Sequence, residues 1–234
     1  MLTRRSLLAG AAATTLSACA RPYSRDAAPA PVAPEPPPPP PMPAFYDAIT
    51  TEPYPIPAIP PGSVDPVHWR QQVENPFPDK SYGTIVVDPD AGKLYFVEDS
   101  ATATRYGVSV GAQGFSWQGT ARLQFTRDWP VWKVPAETIA RKPQYAEYSV
   151  AKGGMPPGPG NPMGARAMYL FQNGEDTLYR IHGSAIPREL GRAVSSGCIR
   201  MLDQDAIHLE ARSVHGCDVI VLPSMRPPGP GALY

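Results

Sequence analysis

The chain has 234 residues, 32 of them proline, and balances 21 Lys+Arg against 21 Asp+Glu. That balance supplies neither the basic footprint of a nucleic-acid binder nor a polybasic membrane surface, so no nucleic-acid partner is expected. Three cysteines are too few for a disulfide framework, and each sits in a different context.

Residues 1–19 read as a signal peptide rather than as fold. Thr3-Arg4-Arg5-Ser6 gives a charged start, and Leu7 to Leu16 form a run of apolar and small residues. The run is too short to cross a hydrocarbon core of about 30 Å as a helix. Leu16-Ser17-Ala18-Cys19 matches the lipobox, where a bacterial lipoprotein is cleaved and its new N-terminal cysteine lipidated. Cys19 is therefore the expected lipidation site; a secretory signal cut nearby is the alternative, since Ala18-Cys19-Ala20 also offers small residues. The twin arginines fit Tat export about as well as Sec. The expected location is periplasmic and lipid-anchored. Ala20 lacks the aspartate that commonly retains lipoproteins at the inner membrane, which favours the outer one.

Residues 20–79 read as a proline-rich linker, largely disordered. Ten of the fifteen residues from Pro29 to Pro43 are proline. Such a run favours polyproline II, and at roughly 3.1 Å per residue it reaches about 45 Å. It reads as a semi-rigid spacer that holds a catalytic domain away from a membrane. Beyond it come Phe45, Tyr46, Tyr54 and Trp69, with a short helix expected over Asp65–Val73.

A folded unit spans 80–223, followed by a tail over 224–234. Thr84–Asp88 and Lys93–Val97 are expected as hairpin strands around Pro89–Gly92, and Arg105–Gly111 as a third strand. Leu123–Phe125, Ala167–Phe171, Leu178–Ile181 and Val219–Leu222 continue the series. Short strands punctuated by Gly and Pro argue a mainly β domain, a sandwich or barrel-like arrangement. One good helix interrupts it, with Asp203 as its expected cap, Ile207, Ala211 and Val214 on one face, and Gly216 at its end.

The chemistry concentrates at Ser195-Ser196-Gly197-Cys198-Ile199-Arg200-Met201, with His182-Gly183-Ser184 sixteen residues before the cysteine. A free thiol is only a few per cent thiolate at neutral pH, so a cysteine nucleophile needs a base. His182, directly after a predicted strand, can take the proton and return it to departing and incoming amines. Gly183 lets its carbonyl approach the other ring nitrogen and fix the tautomer. The backbone amides of Gly197 and Cys198, with Ser196, are candidates for an oxyanion hole. A buried cysteine and a satisfied strand-end histidine are the bland alternative, favoured if one Cys and one His stood alone.

The local sequence overturns it. His182-Gly183 followed by Ser195 to Met201 resembles the signature of the L,D-transpeptidases, the YkuD-type catalytic domain. The resemblance implies a β-sandwich with few helices, Cys198 as nucleophile, His182 as acid–base and Gly183 as the orienting carbonyl. Arg200 matches the family's arginine after the cysteine, and supports the site, contacts an anionic substrate group or forms a structural salt bridge. Val86-Val87-Asp88, Leu94-Tyr95, Arg105 to Gly111, Trp129-Pro130-Val131-Trp132 and Gly160-Asn161-Pro162-Met163-Gly164 resemble further segments, so the likeness runs from Tyr82 to Pro223. Ser196 stands where many members carry histidine, and Met163 where leucine is usual.

What the resemblance implies is a cysteinyl thioester with peptidoglycan tetrapeptide stems, resolved by a stem amine into a 3–3 cross-link or by an amine of an envelope protein. An L,D-carboxypeptidase, with water as acceptor, is the alternative of the same chemistry, and a non-catalytic wall-binding lipoprotein the alternative of another class. No cofactor is expected. His208 and His215 lack a matching carboxylate or thiol cluster, so no metal site is expected. Cys217 is expected to be buried, a disulfide with Cys198 being conceivable but inactivating. Trp117, Trp129 and Trp132 line a cleft or pack, and Gly153–Gly160 is a candidate lid.

Overall fold

The computed structural model describes residues 40–111, 118–195 and 197–225. Cys19 with the signal segment, the tether up to residue 39, Trp117, Ser196 and the tail beyond 225 lie outside the described residues.

β1 spans Gln71–Glu74, β2 Ile85–Asp88, β3 Lys93–Val97 and β4 Thr102–Gly107. β2 and β3 form the antiparallel hairpin, with Ile85 opposite Phe96 and Asp88 opposite Lys93. Asp88 builds the turn, its Oδ1 accepting from the amides of Asp90 and Ala91 at 3.0 and 2.9 Å, an Asx turn that needs no helix or ladder partner. The strand expected over Arg105–Gly111 divides. β4 ends at Gly107, and β5 (Val110–Gly111) leaves the main sheet to pair with β9 (Ala193–Ser195).

The remaining strands are β6 (Gly119–Asp128), β7 (Arg166–Gln172), β8 (Glu175–His182), β10 (Ile199–Arg200) and β11 (Asp218–Val221). Nine strands make one mixed sheet in the order β1-β4-β3-β2-β11-β6-β7-β8-β10. Its two halves come together because Ser109, just past β4, exchanges both backbone hydrogen bonds with Arg200 of β10 at 2.8 Å. Leu94, Phe96 and Tyr106 from one half therefore share a single core with Met168, Leu170, Ile181 and Ile199 from the other. Two inner faces on one core, with few helices, is the mainly β architecture expected from the strand pattern.

Helices are short: α1 covers Ala136–Arg141 and α2 Asp203–Glu210. α2 begins where expected, but Asp203 does not cap it: the N-cap is Leu202, with no side-chain cap bond. Its buried face is also different, carrying Gln204, Asp205, Ala206 and Leu209, while Val214 lies beyond the helix and is exposed. The sequence pattern misled because two polar residues on the buried face hydrogen-bond to partners distant in sequence.

Those partners sit in the segment expected as linker. From Met42 to Asp79 the chain is packed, with Tyr46 and Val64 buried against Ala185, Leu190 and Leu202, and Ile56 also buried. Proline excludes long helices and central strands there, but it also lowers the entropy lost on fixing the chain. The expected helix is a single 3-10 turn at Pro66–His68, followed by β1. The Tyr46 hydroxyl donates to Asp205 Oδ2 at 3.0 Å and accepts from the Arg70 amide at 2.9 Å. Gln204 Nε2 donates to the Pro57 carbonyl at 3.0 Å. Glu52 takes both Arg166 Nη atoms at 2.9 and 2.7 Å and the Trp129 indole N–H at 2.8 Å.

Candidate active site

The site lies where β8 and β10 run parallel, Ile181 beside Ile199 and His182 beside Arg200. In-register neighbours of a parallel pair point to the same face, and alternate residues share it. Ile181 and Ile199 enter the core, so Arg180, His182 and Arg200 occupy the opposite face, and Cys198 directly precedes β10 within the field of Arg180 and Arg200. His182 is fixed by the ladders on both sides: Ala167 of β7 is its register partner, and its carbonyl accepts from the Met201 amide at 2.9 Å.

Only 3% of His182 is exposed, so its hydrogen bonds decide its tautomer. Nδ1 lies 2.9 Å from the carbonyl oxygen of Gly183. A carbonyl only accepts, so Nδ1 carries the proton and Nε2 is left with the basic lone pair. Burial, reinforced by the Arg200 guanidinium, pushes His182 down to about 4, against hydrogen bonds to the backbones of Gly183 and Met163 that pull it up.

Cys198 is partly buried and unoxidised, as is Cys217, and no disulfide joins them. Burial pushes the Cys198 thiol up, opposed by a hydrogen bond from the Arg180 backbone and by the charges of Arg180 and Arg200. Both shifts favour neutral thiol beside neutral imidazole. The two nearby cations nonetheless favour negative charge as it develops on sulfur or on a substrate oxygen.

Gly197, directly before the cysteine, has φ +135°, backbone that a larger residue rarely adopts. Arg200 Nη1 reaches Glu189 Oε2 only at 3.9 Å, and the buried Arg200 Nε has no hydrogen-bond partner among the described residues.

The floor of the face extends across β8, β7 and β6. Arg180, gripped by Asp176 through two bonds of 2.7 Å, lies 4.2 Å over the Tyr169 ring, which stacks on Phe125 at 4.5 Å. Sequence reasoning passed over this row, because its members belong to three strands and form no local motif.

The Gly153–Gly160 segment is pinned rather than loose. Asn161, 3% exposed, donates through Nδ2 to the carbonyls of Pro130, Met155 and Pro156 at 3.1, 3.3 and 2.9 Å. Its Oδ1 accepts from the Met163 amide at 2.9 Å, and Met155 exchanges backbone bonds with Trp132. Those bonds count against a lid. Trp129 is held by Glu52 and Tyr54, and Trp132 packs on Tyr145. His208 accepts or donates at Nδ1 to the Tyr106 hydroxyl at 2.8 Å. Among the described residues, no group of three His, Cys, Asp or Glu is placed to hold a metal ion.

The family model described as YkuD, L,D-transpeptidase catalytic domain, matches residues 82–221. The chain is 29% identical over 137 residues to "Putative L,D-transpeptidase YqjB" of Bacillus subtilis, covering 58% of this chain and 68% of that protein. It is 28% identical over 137 residues to "Probable L,D-transpeptidase YbiS" of Escherichia coli, covering 55% of this chain and 40% of that protein. A crystal structure named "Probable carnitine operon oxidoreductase caia", from Brucella melitensis, is 45% identical at a TM-score of 0.47, covering 68% of this chain and 97% of that one.

Proposed function

The chain belongs to the family of the YkuD-type L,D-transpeptidase catalytic domain, and on that footing we propose that it transfers acyl groups between peptidoglycan stem peptides through a thioester on Cys198. The observation that carries the proposal is His182 at the end of β8, its Nδ1 engaged by the Gly183 carbonyl, beside the strand that Cys198 directly precedes.

The reaction starts from the neutral pair. As Sγ of Cys198 attacks the carbonyl of the third, L-configured stem residue, its proton passes to Nε2 of His182, the lone pair left free by the Nδ1–H bond. Coupling the two steps avoids a buried thiolate in the resting enzyme. The tetrahedral oxyanion forms near the amides of Gly197 and Cys198, with Ser196 a further candidate, in the positive field of Arg180 and Arg200. His182 then protonates the departing amine of the terminal D-alanine, leaving the thioester. An incoming amine attacks the thioester and gives its proton to Nε2, and the displaced sulfur takes that proton back, restoring the neutral thiol and imidazole.

The unpartnered Nε of Arg200 supports a contact with a substrate carboxylate, since a buried guanidinium N–H without an acceptor is costly until one arrives. A neighbouring stem as acceptor yields a 3–3 cross-link, and an envelope protein yields wall attachment. The lipobox at Cys19 and the proline run to Pro43 support a periplasmic enzyme anchored by lipid, preferentially in the outer membrane.

Incubating the protein with tetrapeptide muropeptides and reading products by mass spectrometry tests the proposal. Cross-linked dimers are expected. Tripeptides alone would identify a carboxypeptidase, and unchanged substrate a wall-binding protein.

A further inference from the structure

Asp203 forms no cap on its own helix; its Oδ1 instead accepts from two amides outside it, Ala165 at 2.7 Å and Ser184 at 3.1 Å. The Ser184 amide and the Gly183 carbonyl are the two ends of one peptide group. At its other end that carbonyl accepts from His182 Nδ1 at 2.9 Å. Side chain, peptide and imidazole are thus joined in series. The fit around the carboxylate is close: a Cβ on Gly183 or on Gly164 would collide with Asp203 Oδ1.

We propose that Asp203 is a positioning residue for His182, acting through the Gly183–Ser184 peptide. This rests on the acyl-transfer reading above and deepens it. A peptide N–H bonded to an anion makes its own carbonyl a better acceptor, because hydrogen bonds in series polarise one another. The Gly183 carbonyl therefore holds Nδ1–H more firmly and stabilises the imidazolium that forms when Cys198 gives up its proton. The same work falls to a carboxylate bonded directly to the imidazole in a Ser-His-Asp triad. Here a peptide is interposed, and the carboxylate also fixes the plane of that peptide. Ser184 has φ +63°, a conformation that needs such an outside hold in a residue with a side chain. Burial raises the Asp203 carboxyl overall, opposed by the hydrogen bonds from the two amides and by the Arg166 guanidinium.

Two variants test it, Asp203→Asn and Asp203→Ala, with two readouts. One is the ring nitrogen shifts of His182 by NMR on histidine-labelled protein; the other is the pH profile of Cys198 acylation. Asn keeps an acceptor oxygen without the charge. It should retain the Nδ1–H tautomer and most of the activity while the acid limb moves to lower pH, since an anion that favoured imidazolium is gone. Ala removes both and should mix the tautomers and lower acylation by about 10–100-fold, the scale of losing a supporting hydrogen bond behind a reacting group. If the Ala variant does not fold, the acid limb of the Asn variant decides alone. His182 shifts and acid limb identical to wild type in the folded variants would overturn the proposal. Wild-type protein that exchanges no stem peptide, yet shows the dependence of His182 on Asp203, would remove the functional reading and leave the relay standing.

Discussion

Arg200 stands beside His182 as its in-register partner across β10 and β8, so a permanent cation faces the imidazole. After burial it is the next cause holding His182 down to about 4. Removing that charge must raise the histidine. Replacing Arg200 by Gln should therefore move the acid limb of the acylation rate from near pH 4 toward 6.5, whereas Arg200→Lys should leave it in place. A pH profile of single-turnover acylation reads this, and an unmoved limb in the Gln variant would separate the guanidinium from the base.

The raised thiol and lowered imidazole make a second expectation about the free enzyme. Alkylation of Cys198 by iodoacetamide, in a Cys217→Ser background, should be slow at pH 6 and climb steadily through pH 9. A rate flat from pH 5 upward would mean a standing thiolate–imidazolium pair instead.

Asp205 is fully buried; among the described residues its Oδ1 has only the Arg70 guanidinium at 3.5 Å and no hydrogen bond, so the Tyr46 hydroxyl on Oδ2 is its one direct donor there. Tyr46→Phe should cost about 1–3 kcal/mol, the penalty for leaving a buried acceptor short of a donor. Burial, the main cause, raises the Asp205 carboxyl from 3.8 to about 7. With a raised carboxyl, the contribution to stability is full below the unfolded value and is lost as pH rises through about 7. The loss in Tyr46→Phe should accordingly be larger at pH 8.5 than at pH 6. Urea midpoints at the two values check both size and sign.

Truncation distinguishes packed chain from tether. Protein starting at residue 40 should melt cooperatively. Starting at residue 80 removes the buried side chains of Tyr46, Ile56 and Val64, and Glu52 from Arg166. Three buried side chains at about 1.5–3 kcal/mol each predict a fall in Tm on the order of 10–20 °C, or no fold. Equal melting temperatures would make residues 40–79 a passenger.

The strands were legible because apolar runs bounded by Gly, Pro and Asp announce themselves over a few residues, as Ile85–Asp88 and Lys93–Val97 do. Cys198 and His182 stood out as candidates for a different reason, a local motif that needs no knowledge of the fold. What escaped depends on contacts between residues far apart in sequence. Asp203 looks like a helix cap because an acid before an apolar-periodic run commonly is one; that its oxygen is claimed by Ala165 and Ser184 follows only from the packing of three segments. Tyr46 and Glu52 looked like linker because proline density was read as disorder. Their partners, Asp205 and Arg166, lie 159 and 114 residues away.

Intact-mass analysis of the protein quenched during reaction with a stem tetrapeptide puts the thioester itself to the test. Wild type should gain the mass of the tripeptide acyl group, release D-alanine, and carry the label on the peptide containing Cys198, while Cys198→Ala should gain nothing and exchange nothing. Turnover by the alanine variant at the wild-type rate, or acyl label on a residue other than Cys198, would contradict the account.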